Sequence, residues 1–208
     1  MNFEKLSFED LAAALASDAP TPGGGTAAAL AGAMGAALAE MVAALTLSKE
    51  KYAAGHDAVR PIAEAARHAR GELLRLARED SESYDAVVAA RRLPKGTDEE
   101  RDARSRQMAA ANRLAAEVPM RTAREAARLQ AQVPVLAEKG NPNAASDAGA
   151  AALLLAAAVE GALLNVAINL DGAGDPAFAE ELRSESSRLG REAAATRDEV
   201  LALVRARF

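Results

Sequence analysis

No cysteine occurs in the 208 residues, which excludes disulfides, zinc–thiolate sites and cysteine nucleophiles. The only histidines are His56 and His68, too few for most zinc sites, and no metal is expected. Tryptophan is missing, aromatics make up 3% of the chain, and no strand or hairpin pattern stands out. Basic charge is not in excess: a net charge of −5 argues against nucleic-acid binding, which draws its affinity from counterion release at a basic surface. The apolar runs 26–39 and 148–159 are shorter than a membrane span requires, and Glu160 interrupts the second, so they are expected as buried helices rather than anchors. The start, MNFEKLSFEDL, lacks the charged-then-apolar pattern of a signal peptide, which points to a cytoplasmic protein with no membrane partner. Without a Gly/Ser linker or a fixed repeat, a single domain over 1–208 is expected.

What is abundant is alanine, with Glu and Arg, a composition that favours helices. Ser7 and Asp10 open a short helix. DAPTPGGG at 18–25 is expected to be non-helical, because two prolines and three glycines break regular structure. Thr26 is read as the N-cap of a helix over 27–47 whose Ala28, Gly32, Gly35 and Ala39 form a small-residue face. A long helix is expected over 58–92, with Val59, Ile62, Ala66, Ala69, Leu73, Leu76, Ser83 and Val87 spaced as a buried stripe. Asp80 stands in that stripe where an apolar residue belongs. LPKG breaks the chain, and Thr97 with Glu100 forms a capping box for the next helix, which runs to about Lys139 with kinks or breaks at Val118-Pro119 and Val133-Pro134. The segment 58–139 thus contains a long α-hairpin suited to association. Gly140 is read as a left-handed C-cap, and Asp175 with Pro176 opens a last helix, charged and largely on the surface. The fold class is all-α, a multihelical array of six or seven helices.

Around 140–170 the rest is organised. GNPNAASDAGAAALLLAAAVEGALLNVAINL begins as a turn and continues as a helix on which Asp147, Ala151, Leu154, Ala158, Gly161, Asn165 and Asn169 fall along one stripe. Its small faces are expected to pair with those of the 27–47 helix. Asp147 and Asn165 would lie about 27 Å apart on it, so a site using both is elongated or built from two chains. A buried Asp80 must pair, protonate or serve a site; Arg121 or Arg124 on the next helix are its candidate partners. Asp147 at a helix start is explained by the helix dipole alone, and the glycine loop by tight packing.

PTPGGGTAAALAGAMGAAL, LTLSKEKY, EDSESYDAV with RLPK, EVP, and the GNPNAASDAGAAALLL block together resemble the formimidoyltetrahydrofolate cyclodeaminase and methenyltetrahydrofolate cyclohydrolase family. The resemblance runs in order over about 6–170. It implies a methenyltetrahydrofolate cyclohydrolase-like helical fold, an α-hairpin used in homodimerisation, and a reduced folate substrate with no separate cofactor. It implies cyclodeaminase chemistry, in which a folate amine attacks a formimino carbon and ammonia leaves, or else cyclohydrolase chemistry, in which water opens the methenyl ring. The first is the main expectation and the second the alternative; a non-catalytic interaction module that keeps the fold is the rival. A formiminotransferase domain beside it is not expected. Asp80 and Asp147 are the implied catalytic acids. Gly23, Gly24, Gly25, Thr26, Asn141, Asn143 and Asn165 are the implied substrate contacts, with Lys49 and Lys95 for the carboxylates of the folate tail. Two departures stand out: Thr26 replaces the usual Ser and keeps its hydroxyl, whereas Ala44 replaces the usual Asn and loses an amide.

Overall fold

A computed structural model describes residues 6–208, and among them all regular structure is helical. Residues 1–5, part of the stretch read above for a leader, lie outside it. Seven α-helices follow in order: α1 (Phe8–Leu15), α2 (Gly24–Leu47), α3 (Ala53–Arg91), α4 (Asp98–Gln130), α5 (Val133–Lys139), α6 (Ala145–Leu170) and α7 (Pro176–Arg205). Helices α3 and α4 form the long hairpin, and the Thr97–Glu100 capping box is complete.

The central pair is α2 with α6, and its small residues show why alanine and glycine were needed. The two run antiparallel: Gly24 lies beside Asn165, Gly32 beside Ala158, and Gly35 beside Ala151 and Leu155. A Cβ on Gly35 would stand 2.9 Å from Leu155 Cγ and 3.1 Å from the Ala151 carbonyl, so the glycine sets the interhelical distance. Overpacking of this kind costs about 1–3 kcal/mol, more than the roughly 1 kcal/mol that alanine gains over glycine in a helix. Gly71, exposed on α3, has nothing within 4 Å of its would-be Cβ. Gly35→Ala is therefore expected to lower the melting temperature and Gly71→Ala to raise it by a few degrees; a rise in both would show that the α2–α6 contact can yield.

Several local expectations are corrected. Helix α2 starts at Gly24 behind Gly23, not at Ala27 behind Thr26. Gly24 and Gly25 are thus helical, and Thr26 is buried in the first turn with its hydroxyl spent elsewhere. Gly140 is extended (φ −75°), not left-handed; glycine is required because a Cβ would meet the Leu136 carbonyl at 2.3 Å. Among the described residues the positive φ belongs to Gly174, at 69°. Helix α4 runs unbroken through Pro119, and the break falls after Gln130, before Pro134. Proline at 119 removes the N–H that would bond the Ala115 carbonyl. The Asn169 amide donates to that carbonyl at 3.0 Å instead, so α6 supplies the missing bond. Helix α7 buries one face, including Phe178, Leu182, Leu189 and Val200, and leaves most of its other residues exposed or half-buried, the charged and largely surface helix expected.

Two helical segments, 24–47 and 142–170, are long and apolar enough to cross a bilayer by length and composition. This corrects the shorter estimate from uninterrupted runs. Half of each is buried inside the fold, packed through the glycine contacts just described.

Candidate functional site

At the N-terminal end of α2 an open cleft of about 330 Å³ lies between the 20–23 loop, the first turn of α2, α3, α4 and α6. Such a volume is at the lower end of small-molecule sites. Its polar lining comes from Asp80, Ser83 and Tyr84 of α3, from Asn165 and Asn169 of α6, and from the glycines that begin α2.

Asp80 organises this cleft. Its carboxylate rests against Gly25, so closely that a Cβ there would lie 2.2 Å from Oδ1. The Thr26 hydroxyl donates to Asp80 Oδ2 at 2.8 Å. Having one proton, that hydroxyl must accept from Ser81 Oγ, 3.2 Å away. Burial pushes the Asp80 carboxyl above its ordinary range, while the Thr26 hydroxyl and backbone N–H pull the other way. The arginines considered as partners are engaged elsewhere: Arg121 bonds Glu79 at 2.9 Å and Arg124 bonds Glu185. Asp80 is thus an acid on the wall of a cleft, held by the Thr26 hydroxyl rather than by either of those guanidiniums.

The two amides of α6 complete the lining. Asn165 Nδ2 donates to the Gly161 carbonyl, and Asn169 Nδ2 to the Ala115 and Asn165 carbonyls. Among the described residues no donor reaches either Oδ1, which leaves two acceptors suited to a heterocycle's N–H groups. The first-turn N–H groups of α2 supply donors and the positive helix end.

The structure brings Gly23, Gly24, Gly25, Thr26, Asp80 and Asn165 together. It does not bring in the others. Asn141, Asn143, Asp147 and Lys49 sit toward the opposite end of α2, roughly 30 Å away at 1.5 Å per residue. There Asn141 is buried and pinned: its N–H donates to Thr46 Oγ1 at 2.9 Å, and its Oδ1 accepts from Tyr52 and from the Asn143 N–H. Asp147 is half-buried in the first turn of α6, and Asn143 is exposed. Lys95 lines a separate depression on the hairpin with Arg101 and Arg104. Sequence reasoning missed Tyr84 and Arg91 as cleft residues. They follow Asp80 by 4 and 11 positions, on the same stripe, so the periodicity that singled out Asp80 could have found them. Among the described residues no group of three His, Cys, Asp or Glu is placed to hold a metal ion.

The chain matches the family model described as formiminotransferase-cyclodeaminase over residues 7–188. It is 42% identical over 193 residues to a methenyltetrahydrofolate cyclohydrolase of Methylorubrum extorquens, covering 93% of each chain. It is 36% identical over 172 residues to the formimidoyltransferase-cyclodeaminase of Rattus norvegicus, where it spans 32% of the longer protein. The crystal structure of a formiminotetrahydrofolate cyclodeaminase from Thermotoga maritima superposes with a TM-score of 0.86 at 33% identity, over 98% of both chains.

Proposed function

The chain belongs to the formiminotransferase-cyclodeaminase family, and from that premise we propose that the Asp80 cleft opens and closes the one-carbon bridge of a reduced folate. Hydrolysis of 5,10-methenyltetrahydrofolate is the first reading, because the relative matched along nearly its whole length at 42% identity carries that name. This reverses the order expected from sequence. Cyclodeamination is the second reading, favoured by the solved relative of the same length.

The observation that carries the proposal is an acid of raised pKa on the cleft wall beside free amide acceptors and helix N–H groups. The amide oxygens of Asn165 and Asn169 accept from the N–H edge of the pteridine. Asp80 faces the cationic methenyl carbon, which its charged form stabilises. In hydrolysis, water bonds to that carbon and gives a proton to Asp80. One carbon–nitrogen bond then breaks, the nitrogen takes that proton, and the hydroxyl loses its own proton to solvent as the carbonyl forms, leaving the formyl form. In cyclodeamination the folate amine bonds to the carbon of the protonated formimino group, the amine's proton passes through Asp80 to the formimino nitrogen, and that nitrogen leaves as ammonia with the methenyl cation formed.

The proposal includes a homodimer. Met34, Met41 and Leu45 of α2 and Leu153, Leu164 and Ile168 of α6 are exposed, Leu164 by 72% and Ile168 by 79%. At 100° per residue these positions fall on one side of the antiparallel pair. That apolar face runs between the two polar ends, and Ile168 also lines the Asp80 cleft. A second copy seated on it about a two-fold axis near Met34 sets one chain's Asp80 end against the other's Asn141, Asn143, Asp147 and Lys49. The hairpin, whose α3 arm extends about 16 Å past Asp80, reaches along the partner with its exposed Leu93 and Leu114. The domain is then a single unit, cytoplasmic, with reduced folate as its small-molecule partner and no cofactor, metal, nucleic acid or membrane.

Purified protein given 5,10-methenyltetrahydrofolate is expected to accelerate the loss of methenyl absorbance, and given formiminotetrahydrofolate to raise it if the second reading holds. Turnover of neither, with no binding of tetrahydrofolate, would leave a helical interaction module in place of an enzyme.

A further inference from the structure

Arg91 closes the outer end of the Asp80 cleft, on the last turn of α3. It lies 11 residues beyond Asp80 on one helical stripe, about 16 Å between Cα atoms. Side chains on a helix lean toward its N-terminus, so Arg91 leans back toward Asp80. With the Arg91 side chain extended back along the helix and the Asp80 carboxylate held by Thr26, the gap between carboxylate and guanidinium is roughly 10 Å.

Most guanidiniums along this hairpin are occupied. Arg75 bonds Glu72 and Glu79, Arg121 bonds Glu79, and Arg101 bonds Asp98. Arg91 differs. Among the described residues its side chain has no acidic partner, yet it faces a cleft whose other wall groups are amides, hydroxyls and one carboxylate. In a reduced folate the one-carbon unit and the first tail carboxylate are separated by an aminobenzoyl amide, about 10 Å at ordinary bond lengths. That separation matches the gap. Lys95, the cation that the sequence suggested for this task, lies in the other depression.

Resting on the folate reading, we propose that Arg91 is the anchor for the glutamate carboxylates of the substrate. A guanidinium at this point takes a carboxylate bidentately, fixes the aminobenzoyl group along α3 past Tyr84, and so sets the reacting carbon against Asp80.

The plain alternative is that Arg91 only complements the C-terminal dipole of α3, and substrates with and without the tail distinguish the two. With 5,10-methenyltetrahydrofolate, Arg91→Ala is expected to raise KM about tenfold, with kcat and melting temperature little changed. With the corresponding methenyltetrahydropteroate, which has no glutamate, wild type and Arg91→Ala are expected to share one elevated KM. Arg91→Lys restores part of the tail-dependent gain, and Lys95→Ala leaves KM for both substrates unchanged. An equal rise for both substrates, or no rise for either, would overturn the assignment of Arg91. Failure of the wild type to turn over or bind either compound would instead remove the folate reading beneath it.

Discussion

Replacing Asp80 with asparagine is expected to lower turnover by roughly 10²- to 10⁴-fold, the range for loss of a positioned general acid–base group. Affinity for tetrahydrofolate itself, which lacks the cationic carbon, should change little. The asparagine is nearly isosteric and still accepts from the Thr26 hydroxyl, which now donates to Asp80 at 2.8 Å, so the cleft keeps its shape. What is lost is a proton carrier and a negative charge. Stability supplies an independent reading of the same group. Burial raises the Asp80 carboxyl's pKa in the folded protein, so between its ordinary value of 3.8 and the folded value the native state holds the proton more tightly than the unfolded chain. The cost of a buried charge is absent below that window and fully present above it. Asp80→Asn removes the cost, so at neutral pH its melting temperature should equal or exceed that of the wild type, and the gain should vanish as pH falls below the window. A variant that is less stable at neutral pH and equally active would give Asp80 a packing role and no chemistry.

The legible parts of this molecule are those in which one residue type has one physical use. Asp80 was visible because a carboxyl interrupted an apolar stripe at helical spacing. The α2–α6 pairing was visible because glycines inside helices are costly unless another helix comes close, and Gly32, Gly35 and Gly161 all meet such a neighbour. The misread parts are those in which a residue has two uses. Gly140 suits both a left-handed cap and a close approach, and only the position of the Leu136 carbonyl decides between them. Pro119 should have broken α4, but the repair comes from Asn169, 50 residues away, which no local rule foresees. The same bond gives Asn169 a structural task in addition to its place in the cleft. Arg91 was overlooked among clustered arginines because sequence does not reveal which of them have acidic neighbours in space. The separation of the two polar ends, by contrast, was arithmetic: 18 residues of helix α6 between Asp147 and Asn165 span about 27 Å whatever surrounds them.

That separation yields the second large effect. If one reaction centre takes Asp80 from one chain and Asp147 from its partner, then Asp80→Asn and Asp147→Asn homodimers are both expected to be nearly inactive, and mixing them should restore activity. Random exchange makes half of the dimers hybrid. Each hybrid carries one doubly altered centre and one intact centre, so the mixture recovers about a quarter of wild-type turnover. Recovery should require exchange and fail when Met34, near the proposed axis, is replaced by glutamate, because a buried unpaired charge opposes the contact. Asp147 has a simpler explanation as an acid in the first turn of α6, where the dipole favours it by about 0.3–1 kcal/mol. On that explanation Asp147→Asn stays active and only slightly less stable, and the mixture shows no more than the sum of its parts. Such an additive result would confine the chemistry to a single chain and leave the exposed α2–α6 face without a catalytic purpose. Restoration, in contrast, would show that the apolar face places two half-sites opposite each other, as a length of 30 Å between them within one chain demands.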